Sequence, residues 1–148
     1  MSTQWTAGTT SGQVLTAATL NTIGAVAVDY TPTLTQSATV TKTVLTARYF
    51  QFQKFVTGQI VMNVTGAGTA GNTVLVGLPI AARSTSLIVA YAYIYDANVN
   101  AMYNLTAYTS STSTVGFFYQ TGNPFGVSPA VTLANTDQIS VNFSYEIA

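Results

Sequence analysis

The chain has no histidine and no cysteine, and its 148 residues include only four basic and four acidic side chains. Each shortage excludes a class of chemistry. Without imidazole or thiol there is no histidine general base, no Ser-His-Asp arrangement, no thiolate nucleophile and no zinc site with nitrogen or sulfur ligands. Without cysteine there is no disulfide, so stability must come from a packed core and from subunit contacts. Lys42, Arg48, Lys54 and Arg83 are too few and too scattered to neutralise a phosphate backbone, so no nucleic-acid partner is expected. No apolar run reaches the roughly 18 residues of a spanning helix, so no membrane insertion is expected. The amino terminus, Met-Ser-Thr-Gln-Trp, lacks the basic and apolar regions of a signal peptide, which predicts synthesis and folding in a cytoplasm.

Charge is scarcest of all. Charged residues make up 5% of the chain and the net charge is zero, whereas an ordinary soluble domain is about 25% charged. Thr, Ser, Asn and Gln must cover the surface instead. Zero net charge favours association, so the composition predicts a protein that lives in an assembly.

What is present is apolar and alternating. Hydrophobic residues are 48% of the chain, which argues against disorder, and the length predicts one domain burying about 70% of its unfolded surface. The organising stretch is Leu87–Asp96, with Leu87, Val89, Tyr91, Tyr93 and Tyr95 on one face and Ile88, Ala90, Ala92 and Ile94 on the other. Both faces are apolar, which predicts a central strand covered on both sides, one side by a close-packed neighbouring sheet and the other by a partner chain. Other expected strands are Tyr30–Thr35, edge-like because of Pro32, then Val40–Thr46, Arg48–Val56, Gln59–Thr65, Thr73–Leu78, Met102–Tyr108, Val115–Tyr119 and Ala130–Leu133. The last, Gln138–Ile147, alternates cleanly, with Ile139, Val141, Phe143, Tyr145 and Ile147 facing inward. Turn signals every 8–12 residues or so predict an all-β fold, a jelly-roll-like antiparallel β-sandwich spanning residues 30–148.

Residues 1–29 read as an extended amino-terminal arm. Within it, about 16–23, Thr16 is a fitting N-cap, Leu15 and Leu20 a hydrophobic staple and Gly24 a stop, which predicts one short helix. So short a helix is marginal alone. Trp5, Leu15, Leu20 and Ile23 therefore need a surface, either the chain's own β domain or a neighbouring subunit.

Candidate chemistry is sparse. The carboxylates Asp29, Asp96, Asp137 and Glu146 are isolated in sequence, so a glycosidase-like pair could arise only through the fold. Asp96, Asn98 and Asn100 have the alternate spacing of oxygen ligands for a cation, though one carboxylate favours a plain polar turn. Gly66–Gly71 lacks the Lys-Ser/Thr partner of a phosphate loop and reads as a flexible turn. Tyr103, Tyr108, Phe117, Phe118, Tyr119 and Phe125 are core residues or a recognition surface, with Tyr103 and Phe125, near turns, the two expected to be exposed. No catalytic residue, metal site or cofactor is predicted, and the chain is expected not to be an enzyme.

The pattern Trp5-x-Ala7-Gly8 followed by Gly12-x-Val14-Leu15-Thr16-Ala17-Ala18-x-Leu20-Asn21-x-Ile23 resembles the arm that precedes β-rich heads in virion proteins of tailed bacteriophages, notably small minor tail and appendage proteins. Tyr30-Thr31-Pro32-Thr33-Leu34-Thr35, Leu78-Pro79-Ile80-Ala81-Ala82 and Asp137–Glu146 are similar to such heads. The resemblance implies a homotrimeric jelly-roll knob, like the tumour-necrosis-factor and C1q type of head, made in the bacterial host cytoplasm and displayed on the virion surface. Such heads on tail fibres follow a long shaft, which this sequence lacks. The expectation is therefore capsid decoration, the arm binding the major capsid protein or another virion protein; the alternative is a minor tail or tail-tip protein binding a host glycan or surface protein.

Overall fold

The computed structural model describes residues 26–120 and 122–148. The predicted helix at about 16–23, and with it Trp5, Leu15, Leu20 and Ile23, lies outside the described residues. Among those described there is no helix and there are eleven strands: β1 (Val28–Asp29), β2 (Leu34–Gln36), β3 (Ala38–Thr39), β4 (Lys42–Phe52), β5 (Phe55–Val64), β6 (Leu75–Gly77), β7 (Ile88–Asp96), β8 (Ala101–Ser111), β9 (Thr114–Tyr119), β10 (Asn123–Pro124) and β11 (Gln138–Glu146). All form one curled antiparallel sheet in the order β1-β4-β5-β11-β7-β8-β9-β6-β2-β3, with β10 on β9. The all-β expectation holds at this level.

Alternation builds the two faces. Ala47, Ile60, Val141, Ala92 and Leu105 stand opposite one another across β4, β5, β11, β7 and β8, and all are buried. The next outward row is Asp29, Arg48, Gln59, Asn142, Tyr91 and Thr106, all exposed. One face is core and the other is open, as half-buried antiparallel sheets require. β11 follows the sequence reading closely, and Gln59–Thr65 does too, with Ile60, Met62 and Val64 buried. At Gly58 the core row has no room for a side chain. A Cβ there would meet Phe143 Cζ at 2.6 Å, Tyr49 Cβ at 2.9 Å and the Arg48 carbonyl closer still.

The structure corrects several boundaries. The expected break near Ala47 does not occur: Lys42–Phe52 is one strand, and the hairpin turns at Gln53-Lys54, with Gln53 at φ 51°. A bulge between Val44 and Thr46 supplies the irregularity instead and leaves Leu45 exposed. Ala130–Leu133 is not a strand; its backbone bonds go to a side chain and a loop, described below. β7 is central but not covered on both sides. Ala92 and Ile94 are buried, whereas Tyr91 is 58% exposed. Val28 and Asp29, assigned to the arm by sequence, belong to the sheet, paired with Tyr49 and Arg48.

The segment after β1 is a strap. Tyr30 N donates to Ala47 O at the β4 end of the sheet (3.0 Å), while Leu34 pairs with Val76 on β6 at the other end. Pro32, which has no N–H to give a ladder, lies in the crossing, and β2 starts only after it.

At the far end of the strap Gln36 is buried and fully engaged. Its Oε1 accepts from Leu133 N (3.0 Å), and its Nε2 donates to Val131 O (2.7 Å) and Asn72 O (3.2 Å). One amide thus ties β2 to two loops. Gly68 and Gly126 are shaped to it: a Cβ on Gly68 would collide with Gln36 Oε1, and one on Gly126, where φ is +95°, would collide with Asn72 O.

Candidate functional site

Tyr103 and Phe125 come together, but not as a surface. The Phe125 ring is fully buried; Phe125 N donates to Phe117 O (2.8 Å) and its carbonyl accepts from Val74 N (3.2 Å). Tyr103 is half-buried, its ring 5.0 Å from that of Phe125 and 5.5 Å from that of Tyr119. Burial first, then the charge of Asp96 and the neighbouring Tyr119, raise the pKa of its hydroxyl. Proximity to a turn does not say which way a ring points. Here Gly126, at positive φ, turns the chain so that Phe125 faces the core.

The carboxylates are all occupied. Asp29 pairs with Arg48 at 2.7 Å, and both Glu146 oxygens accept from Arg83 Nη1, at 3.0 and 2.9 Å. Asp96 Oδ1 accepts from Asn98 N (3.0 Å) and Val99 N (3.3 Å), which closes the turn after β7. Asn100 Oδ1 is taken by the Tyr95 hydroxyl at 2.8 Å, so Asp96, Asn98 and Asn100 form a turn and do not converge on a cation. Among the described residues no group of three His, Cys, Asp or Glu could hold a metal ion.

Asp137 is buried beneath that turn, with Oδ1 accepting from Ala97 N (2.9 Å) and Oδ2 from Ala134 N (2.8 Å). Its pKa is raised above the ordinary 3.8: burial outweighs the two N–H donors, and Asp96 adds to the effect. The folded protein therefore keeps this proton to higher pH than the unfolded chain does. The contribution of Asp137 to stability then falls as pH rises from 3.8 through the folded pKa. Urea unfolding at steps between pH 4 and 7 should show the stability of the native protein, relative to Asp137→Asn, shrinking as pH rises. A difference that grows with pH would contradict this.

Two interior hydroxyls are likewise perturbed. Burial pushes the Tyr145 hydroxyl up to about 12 although it donates to Ile80 O (2.7 Å), and burial raises Tyr30, whose hydroxyl has no partner among the described residues.

The open outer face carries the unexplained surface. Phe50, Phe52 and Phe55 are 42%, 56% and 59% exposed at the β4–β5 hairpin, with Phe52 directly opposite Phe55. Two shallow depressions flank β4: one of about 350 Å³ between Ala27, Arg48, Phe50, Thr57 and Gln59, the other of about 480 Å³ along Tyr30 and Val44 to Arg48. Further along the face, Tyr91, Tyr93 and Tyr95 project from β7 among Asn and Gln side chains. Sequence alone reads these phenylalanines as ordinary strand residues and these tyrosines as a face covered by a partner chain. A signal for the phenylalanines is their position at the same hairpin end, at Phe50, Phe52 and Phe55. No family model, curated protein or solved structure matches this chain.

Proposed function

We propose that this is a non-enzymatic structural protein that acts by burying surface, as a homotrimeric, jelly-roll-type knob on the surface of a tailed-phage virion, where it decorates and stabilises the capsid. The observation that carries the reading is the exposed Phe50, Phe52 and Phe55 on a chain with zero net charge. Clustered exposed phenylalanines mark an interaction surface, and copies without net charge do not repel one another. The occupant proposed for this corner is a second copy of the chain. The amino-terminal arm supplies the link to the neighbouring virion subunit, and many weak contacts summed over an oligomer hold the particle surface together. Receptor binding at the tail tip, the second role left open by the sequence, draws its support from the face of β7.

Burying a phenylalanine contributes about 1.5–3 kcal/mol. With over half of each ring still to be buried, the double substitution Phe52→Ser, Phe55→Ser should weaken self-association roughly 100-fold in sedimentation equilibrium, with an unchanged monomer spectrum. A native protein that is monomeric at every concentration would remove the corner from the reading. The virion assignment is tested by quantitative mass spectrometry of purified particles. A copy number comparable to that of the major capsid protein is expected; a small fixed number would move the protein to the tail.

A further inference from the structure

β7 presents three outward tyrosines, and none of their rings stands free. The Tyr91 hydroxyl donates to Asn104 Oδ1 (2.7 Å), that of Tyr93 to Gln138 Oε1 (3.1 Å) and that of Tyr95 to Asn100 Oδ1 (2.8 Å). The register shows how two of these rings must lie. Asn104 on β8 is opposite Tyr93, not Tyr91, and Gln138 on β11 is opposite Tyr95, not Tyr93. Tyr91 and Tyr93 thus reach diagonally to adjacent strands. Diagonal neighbours are about 7–8 Å apart, nearly the full reach of a tyrosine, so these two side chains lean along the sheet instead of standing straight out from it. Tyr91 is the most open, at 58% exposure.

The surroundings carry no charge and are polar apart from Met102, which is exposed opposite Tyr95. Asn142 and Thr106 flank Tyr91 in the ladder, and both are exposed. The side-chain amide of Asn142, and the Nδ2 groups of Asn100 and Asn104, make no hydrogen bond among the described residues. Nearby cations are absent or committed: Arg48 is paired with Asp29 and Arg83 with Glu146. That disfavours nucleic acid, which needs cations along its backbone as well as rings to stack on. Tyrosines about 7 Å apart along one strand, leaning to β8 at Tyr91 and to β11 at Tyr93, with amide donors and acceptors beside them, suit a linear ligand that offers C–H groups to the rings and hydroxyls to the amides, and that carries no charge.

We propose that the outer face of β7, Tyr91, Tyr93 and Tyr95 with Asn104, Asn142 and Gln138, is a binding platform for a linear, uncharged polysaccharide. The proposal gives the receptor-binding alternative a ligand class and rests on that reading only for its biological setting. Polysaccharide binding is read on the isolated protein, whereas host adsorption by particles tests the receptor role itself.

The test is native affinity electrophoresis of the full chain through gels containing, in turn, a neutral glucan, a mannan, a galactan and dextran. Retardation in at least one gel is expected. Tyr91→Ala should raise the apparent Kd in that gel about tenfold, Tyr91→Phe, which keeps the ring, should raise it far less, and Val127→Ser, at an exposed side chain away from both this face and the β4–β5 hairpin, should leave it unchanged. No retardation in any gel overturns the proposal, as does retardation of both Tyr91→Ala and Tyr93→Ala equal to that of the native protein. A drop in sedimenting mass of the ligand-free Tyr91→Ala protein would also overturn it, by making the face a contact between copies.

Discussion

Replacing Gln36 by Ala is expected to lower the stability of the fold by about 4 kcal/mol, read as a shift of the urea unfolding midpoint at constant m. The side chain is buried, and its three bonds all go to backbone groups of other segments: Leu133 N, Val131 O and Asn72 O. Removing it leaves those groups without partners, at about 1–3 kcal/mol for each buried one, and leaves a hole that Gly68 and Gly126 cannot fill. Gln36→Leu restores volume but none of the bonds, so it should recover only a minor part of the loss. Gln36→Glu is more informative still. Its carboxylate would face the carbonyls of Val131 and Asn72, so the variant should be worst at neutral pH and improve on acidification, as the acid regains a donor. If Gln36→Leu were as stable as the native protein, the amide would not be what holds the two loops.

Phe125→Ala is the second large effect. The ring is fully buried, in contact distance of Tyr103 and close to the β9 backbone that receives its N–H. Truncating a buried phenylalanine costs about 3–5 kcal/mol, which for a domain of this size lowers Tm by roughly 10 °C. An exposed ring would change stability by no more than about 0.5 kcal/mol. Differential scanning calorimetry therefore separates a core residue from a recognition residue, and the same variant should leave polysaccharide binding and self-association of the folded fraction unchanged.

These two residues also mark where the sequence stopped being readable. β11 and most of β5 could be read directly, because period-two alternation is a local signal and Ile139, Val141 and Phe143, like Ile60 and Met62, follow it without interruption. β7 lies where the alternation predicts, and within a single chain only its Ala92 and Ile94 face is covered. A strand with a row of tyrosines can face either way, and here the amides on its two neighbours, Asn104 on β8 and Gln138 and Asn142 on β11, share the tyrosine face. The β4–β5 turn was displaced because a bulge at Leu45 perturbs the pattern without ending the strand. Gln36 had no local signal at all. It is a single polar residue in a three-residue strand, and its partners lie 36, 95 and 97 positions away. Phe125 failed for the same reason, since burial there is decided by Gly126 and by β9.

The strap between β1 and β2 has a mechanical consequence. A pull applied at Val26 is borne first by the two residue pairs of β1, Val28 with Tyr49 and Asp29 with Arg48, and then by the Tyr30–Ala47 bond. Those attachments are few and open in sequence, like a zip. The next anchor is different in kind, because Leu34 and Gln36 are locked into the far side of the sheet and into two loops. Peeling residues 28–33 would release roughly 20 Å of extended chain before any force reached the core. If the chain is held on a particle through its amino-terminal segment, as proposed above, a particle that swells or is sheared would take up slack at each point of attachment while every β domain stayed folded.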